Sequence, residues 1–113
     1  MKYGGIWQIN FDPTIGDEIK KTRPAVIISR DGLSGLRIRL VVPITGWKPN
    51  FDRLSWIIQL SPTSINGLSK LSAANPLQTR SVSTARFVDR VGVLEGDKLE
   101  EVILALGILI QHP

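Results

Sequence analysis

The sequence contains no cysteine, a single histidine and no long run of apolar residues. The lack of cysteine excludes disulfides, thiolate metal sites and thiol nucleophiles. The histidine, His112, is the penultimate residue of the chain. Because chain ends are usually frayed, we expect this imidazole to take no part in function, so any mechanism must work without a histidine pair.

No segment approaches the ~18 consecutive apolar residues of a membrane-spanning helix. The first residues, MKYGGIWQIN, also lack the apolar stretch of a signal peptide. These two absences predict a cytoplasmic protein.

The composition is that of an ordinary folded domain. With 113 residues, 42% of them hydrophobic, the chain is expected to form one domain over residues 1–113, and disorder is disfavoured. The formal net charge of +4 favours a polyanionic partner such as nucleic acid. Many basic domains bind no nucleic acid, however, so the charge alone decides little.

Alternating polar and apolar residues dominate most of the chain and predict β-strands. In the first strand, Trp7, Ile9 and Phe11 form the expected apolar face. AVIISR (25–30) is a continuous apolar run, typical of a strand covered on both faces. Pro43 cannot donate to a β-ladder, so the third strand should end there or lie at a sheet edge. Strands are predicted at 6–11, 25–30, 36–45, 54–60, 77–83 and 90–96.

The segment 97–111 has helical spacing instead, with an unusually wide apolar stripe. Asp97 and Glu100 form a capping-box analogue, and Gly107 is expected to mark a close packing contact. LSKLSA (68–73) is compatible with a helical turn. The expected fold is therefore mainly β with helices, a bent or barrel-like antiparallel sheet closed by a C-terminal helix. Loops and turns are expected at 12–22, 31–35 and 61–67.

Arg23 lies within KKTRPAVIISRD, directly before Pro24 and a strand that is expected to be buried. Proline holds the residue before it in an extended conformation. The chain therefore fixes an arginine at the rim of its core. A surface salt bridge at the start of a strand is the simpler explanation.

Three other groups of polar residues can carry chemistry, each with a simpler structural alternative. Thr45 ends the strand VVPIT, where threonine is also common strand filler. Glu18 is one of two adjacent carboxylates in a loop, where solvation alone explains such charges. Gln78 and Arg80, predicted to share a strand face with Val82, and Arg86 just beyond, suit phosphate contacts, although a solvated strand face explains them nearly as well.

Taken together, these pieces resemble the MazF/PemK (Kid) family of toxin endoribonucleases from type II toxin–antitoxin systems. GGIWQINFDPTIGDEIKKTRPAVIIS, VVPIT and QTRSVSTARF carry the resemblance, which spans residues 4–110. The shared pattern is a G-x-[IV]-W strand, a D-P-T-x-G-x-E loop, an R-P-[AV] strand start, a P-[IV]-T strand end and a Q-x-R-[TS]-[IV] strand. Each piece is short, but all five occur in order.

The resemblance implies an SH3-like barrel of the CcdB/Kid/MazF class, usually a homodimer. It also implies metal-independent, cofactor-free cleavage of single-stranded RNA at short motifs, as in an mRNA interferase. In this reaction a ribose 2′-OH attacks the adjacent phosphate. A cognate MazE-like antitoxin is expected to neutralise the toxin by laying an extended acidic segment across the same groove.

Within the family, the arginine of R-P and the threonine of P-[IV]-T form the catalytic pair, which here is Arg23 and Thr45. Glu18 matches the loop glutamate and is the candidate general base. Gln78 can read a base edge. The residues expected to bind RNA are Gln78, Arg80, Arg86, Lys20 and Lys21.

The chain departs from the family at three positions. Some members use an arginine and an aspartate just before the Q-x-R strand, where this sequence has Asn75 and Leu77. Some have a loop histidine where this sequence has Asp17. The mechanism implied for this chain therefore depends more heavily on Arg23 and Thr45.

Two other functions fit the same fold. A CcdB-like toxin would poison DNA gyrase through its C-terminal helix and would not need the pair Arg23 and Thr45. A non-catalytic RNA-binding module would keep its activity when either residue is changed to alanine.

Overall fold

The computed structural model of the protein describes residues 1–33 and 35–112. The predicted turn at 31–35 includes Ser34, and the predicted domain ends at Pro113; both residues lie outside this description. Seven strands are followed by one α-helix, and every ladder is antiparallel. No helix within the described part of the chain is long and apolar enough to cross a membrane. The elements are β1 (Gly5–Asn10), β2 (Thr22–Ile27), β3 (Ile38–Gly46), β4 (Ile58–Leu60), β5 (Ser72–Ala74), β6 (Arg80–Ser83), β7 (Phe87–Val93) and α1 (Gly96–Leu109).

The strands form one seven-stranded sheet in the order β4-β5-β3-β2-β1-β7, and β6 pairs with the first half of β3. The predicted mainly β fold with a C-terminal helix is confirmed. No ladder joins the terminal strands β4 and β7 in the described residues, so the sheet is open and not a closed barrel. Two register shifts between β1 and β7 mark bulges, which bend a strand locally.

Pro43 lies inside β3, which is a central strand, so the prediction of a strand end or edge was wrong. At Pro43 the strand changes partner, because β6 pairs with residues 38–41 and β5 with residues 44–46. The Pro43 carbonyl accepts a hydrogen bond from the Asn75 N–H (3.0 Å) at this change of partner. The missing N–H of proline therefore costs no ladder hydrogen bond.

The sheet packs on both faces, which explains the continuous apolar run of β2. One core cluster includes Ile6, Val26 and Val42, and α1 adds Leu99 and Val102 to it. A second cluster is formed by buried residues at alternate positions of the same strands. That second cluster contains Ile9, Phe11, Ala25, Ile27, Val41 and Val82, with Trp7, Ile19 and Phe87 packed against it.

Several local predictions were wrong. The expected strand 54–60 is ordered as a strand only over Ile58–Leu60, and 68–73, expected as a helical turn, contains the start of β5. Gln78 lies in the 3₁₀-helix Pro76–Gln78 and not on a strand face. The helix begins after Glu95 without a side-chain cap. Apart from the helix backbone and the adjacent residues, the only described atom within 4 Å of a Cβ built on Gly107 is the His112 carbonyl oxygen, at 3.7 Å.

Residues 61–67, which precede β5, form a loop with its own network of hydrogen bonds. Asn66 is buried; its Oδ1 accepts from the N–H groups of Thr63 and Leu68, and its Nδ2 donates to Ser61 O (2.9 Å). Gly67 has a φ of +67°, and a Cβ there would overlap the Val91 carbonyl. The loop is therefore held against β7 at one fixed place.

Gly67→Ala is expected to destabilise the protein by at least ~3 kcal/mol, because it adds a backbone clash to the strain of a positive φ. Gly32→Ala is the matched control, since Gly32 has a φ of +86° and, among the described residues not adjacent to it, no atom lies within 4 Å of a built Cβ. The control should cost only about 1 kcal/mol. Urea denaturation measures both, and equal losses would contradict the proposed clash.

Candidate active site

Arg23 and Thr45 are brought together by the pairing of β2 with β3. The ladder pairs Ala25 with Pro43, so continuing the antiparallel register by two residues places Arg23 opposite Thr45. Residues two apart on a strand share a face, so both side chains lie on the face that carries the second core cluster. Each residue is half-buried. The two residues therefore occupy neighbouring positions on adjacent strands at the rim of the core.

Local backbone contacts position Arg23. Lys21 has a φ of +69°, and Pro24 then holds Arg23 extended at the start of β2. The Arg23 Nε donates to the Lys20 carbonyl at 3.3 Å. No carboxylate pairs with Arg23 among residues 1–33 and 35–112, so the simple salt-bridge explanation fails and its terminal nitrogens can hold a ligand.

Arg23 and Thr45 also line a cavity of about 540 Å³. The other β2 and β3 residues that line it alternate with the pair and belong to the opposite face of the sheet; among them are Pro24, Ile44 and Gly46. The other charged residues that line the cavity are Lys70, Asp89 and Arg90, so cations outnumber carboxylates three to one. Such a cavity suits an oxyanion such as a phosphodiester. The sequence-based prediction did not include these three residues because they are distant in sequence from Arg23 and Thr45; the pairing of β1 with β7, for example, brings Asp89 opposite Gln8.

Lys70 lies directly over Gly46, the residue after Thr45. A Cβ built on Gly46 would be 3.1 Å from the Lys70 Cε and 3.2 Å from its Nζ. Gly46 has no positive φ, so room for this side chain is the visible reason for glycine at this position. A glycine directly after the strand-ending threonine is the one sequence signal that was available for Lys70.

Glu18 lines a second cavity of about 380 Å³ on the same sheet face as Arg23 and Thr45. Phe11 and Pro43 also line this cavity, and Pro43 is two residues from Thr45 on β3. The Glu18 Oε1 accepts from the Ile15 N–H at 2.6 Å. Glu18 therefore lines a cavity that is next to the pair along β3, and it does not line the cavity that Arg23 and Thr45 share.

The residues expected to bind RNA divide into two groups. Lys20 and Lys21 are exposed in the loop between β1 and β2. The side chains of Gln78, Arg80 and Arg86 instead make hydrogen bonds to the backbone of that loop or of its base. Lys20 and Lys21 are thus exposed, whereas Gln78, Arg80 and Arg86 are half-buried.

Comparison with known proteins was made for the whole chain. Residues 2–110 match the family described as PemK-like, MazF-like toxin of type II toxin–antitoxin system. The chain is 31% identical over 114 aligned positions to "Endoribonuclease MazF9" of Mycobacterium tuberculosis (strain ATCC 25618 / H37Rv), covering 96% of this chain and 94% of that protein.

Solved structures show the same fold. The crystal structure of MazF from Deinococcus radiodurans superposes with a TM-score of 0.78 at 24% identity, covering 98% of this chain and 96% of that one. An endoribonuclease from a mycobacterial species, solved in complex with its cognate antitoxin, gives a TM-score of 0.79 at 12% identity, covering 100% and 97%.

Proposed function

Because the chain belongs to the family of PemK-like, MazF-like toxins of type II toxin–antitoxin systems, we propose that it is an endoribonuclease that cleaves single-stranded RNA. The observation that best supports this proposal is the register of β2 against β3, which, continued by two residues, sets Arg23 across from Thr45, beside a cavity rich in cations. Cleavage is proposed to occur at short sequence motifs in the cytoplasm, by a homodimer and without a metal or cofactor.

The reaction is a transesterification. The ribose 2′-oxygen forms a bond to the adjacent phosphorus while the bond to the 5′-oxygen breaks, which leaves a 2′,3′-cyclic phosphate and a 5′-hydroxyl. A base takes the 2′-OH proton, and the leaving 5′-oxygen gains a proton. Arg23 stabilises the added negative charge, because a guanidinium offers a fixed fork of donors and stays protonated. Thr45 donates to a phosphate oxygen, which fixes the in-line geometry.

Glu18 is the proposed general base. It is carried by the loop that lies on the same sheet face as the pair, and Arg23 is tied to this loop through the Lys20 carbonyl. Asp89 is the competing carboxylate, since it lines the same cavity as Arg23 and Thr45. Glu18 lies in the loop between β1 and β2 and Asp89 lies on β7, so each carboxylate can be tested separately.

RNA binding is proposed to involve the exposed Lys20 and Lys21, together with Lys70 and Arg90 at the cavity. These positive charges also suit the acidic segment of a MazE-like antitoxin. When bound there, this segment would cover the residues that are proposed to bind RNA. The presence of a cognate antitoxin in a mycobacterial neighbour of the same fold supports this partner class.

The decisive experiment is cleavage of a long RNA by the purified protein in EDTA, with the ends mapped by sequencing. We expect cuts at a short motif, and at least about a hundredfold slower cleavage by Arg23→Ala, because losing one transition-state donor costs about 10²–10³. Thr45→Val should also be slow while circular dichroism stays unchanged. No cleavage by the wild type, together with inhibited gyrase supercoiling, would establish the CcdB-like alternative.

The pH dependence identifies the base. Glu18→Gln should slow cleavage and abolish the fall in rate at acidic pH, because an amide cannot be protonated in place of the carboxylate. Asp89→Asn is the matched comparison and should keep that acidic limb. The pH–rate profiles of both variants under single-turnover conditions measure this. The reverse pattern would assign the base to Asp89.

Lys70 is expected to contribute one phosphate contact. Lys70→Met should weaken binding of a single-stranded RNA and reduce the salt slope of the affinity by roughly 0.7, the value for one phosphate on a single strand. Gly46→Ala should have a similar effect by displacing the Lys70 side chain, and should add nothing in the Lys70→Met background. Lys2→Met is the control. Additive effects would show that Gly46 acts independently of Lys70.

A further inference from the structure

We propose that Gln78 is a positioning residue that latches the loop of residues 11–21, and that it does not read an RNA base. This inference rests on the proposed function only in that the loop carries Glu18. The latch itself is a property of the fold and can be tested without any RNA. It reassigns a residue that the sequence placed on the substrate-binding surface.

The Gln78 amide holds the loop on both sides of Glu18. Its Oε1 accepts from the Ile19 N–H at 3.2 Å, and its Nε2 donates to the Asp17 carbonyl at 3.0 Å. Both hydrogen bonds span about sixty residues of sequence, so they fix the loop to a different part of the sheet. Because the two contacted residues flank Glu18, the amide sets the position of this carboxylate.

Few other contacts join the tip of the loop to the rest of the protein. The loop contains no helix or strand; Ile19 packs against the second core cluster, and the Arg23 Nε donates to the Lys20 carbonyl at 3.3 Å. The base of the loop is fixed separately, since Arg86 Nη1 donates to the carbonyls of Asn10 (3.1 Å) and Asp12. Arg80 lies over the Phe11 ring, 5.7 Å from its centroid. Two arginines thus anchor the base and one glutamine anchors the tip.

Gln78 is itself held rigidly. It ends the 3₁₀-helix Pro76–Gln78, whose first turn is capped by Asn75 Oδ1 accepting from the Leu77 N–H at 3.1 Å. The Gln78 N–H donates to the Asn75 carbonyl at 3.0 Å. Asn75, which stands where some family members have a catalytic arginine, therefore has a structural role here. A rigid support is what a positioning residue requires.

The latch competes with base reading. A glutamine reads a base through Oε1 and one Nε2–H, and both of these atoms already bond to the loop in the free protein. Reading a base would leave the Ile19 N–H and the Asp17 carbonyl without this partner. The geometry therefore favours one role over the other.

The test compares Gln78→Ala with Gln59→Ala, a matched glutamine exposed on β4. In the free protein, amide exchange of Ile19 and tryptic cleavage after Lys20 and Lys21 report opening of the loop. We expect Gln78→Ala to raise both roughly tenfold, since the net strength of one or two hydrogen bonds corresponds to about that factor. Gln78→Glu should lie between, because its carboxylate still accepts from Ile19 but repels the Asp17 carbonyl. Gln59→Ala should match the wild type.

Cleavage assays then separate positioning from recognition. Gln78→Ala should lower kcat while leaving the cleavage motif unchanged, and should have little further effect in a Glu18→Gln background. A relaxed motif with unchanged loop exchange would overturn the latch and make Gln78 a base reader. If the wild type cleaves no RNA, the proposed function fails, whereas the exchange and proteolysis results still decide the latch.

Discussion

The antiparallel pairing of β2 with β3 is the constraint on which the candidate site depends. These two strands are the middle of the sheet, buried on both faces, and their register is fixed by side chains that must reach one core cluster or the other. If the pairing of the two strands slipped by one residue, every side chain of the shifted strand would move to the opposite face of the sheet. The same register that fills the core therefore puts Arg23 across from Thr45 on a neighbouring strand, and the site inherits the rigidity of the core.

The polar residues around the pair divide into those that are available to a ligand and those that hold the protein together. The terminal guanidinium nitrogens of Arg23 donate to no protein partner in the described chain, whereas Gln78 and Arg86 are occupied by backbone groups of the loop. Arginine and glutamine suit both tasks because each presents several donors in a fixed geometry. The Q-x-R pattern of Gln78 and Arg80 is therefore as compatible with building a site as with binding a substrate.

Much of the fold was readable from the sequence, because alternation and helical spacing depend on nearby residues. The strands around Trp7, Val26 and Val41 and the helix after Glu95 were predicted within a few residues. Effects that depend on residues distant in sequence could not be predicted. Pro43 was predicted to end a strand, because the sequence does not show that β3 changes its partner strand at this residue and can therefore accept a proline. Similarly, Ser72–Ala74 forms a strand only because β3 and β4 are available as partners.

The change of partner at Pro43 divides the molecule into two functional halves. On one side, β5 and the loop before it support Lys70 and the larger cavity; on the other, β6 and the 3₁₀-helix support the latched loop. In the described residues no ladder joins β5 to β6, so each half of the molecule pairs with its own part of β3. The two sides of the candidate site can therefore change by separate substitutions, while the register of the central strands stays the same.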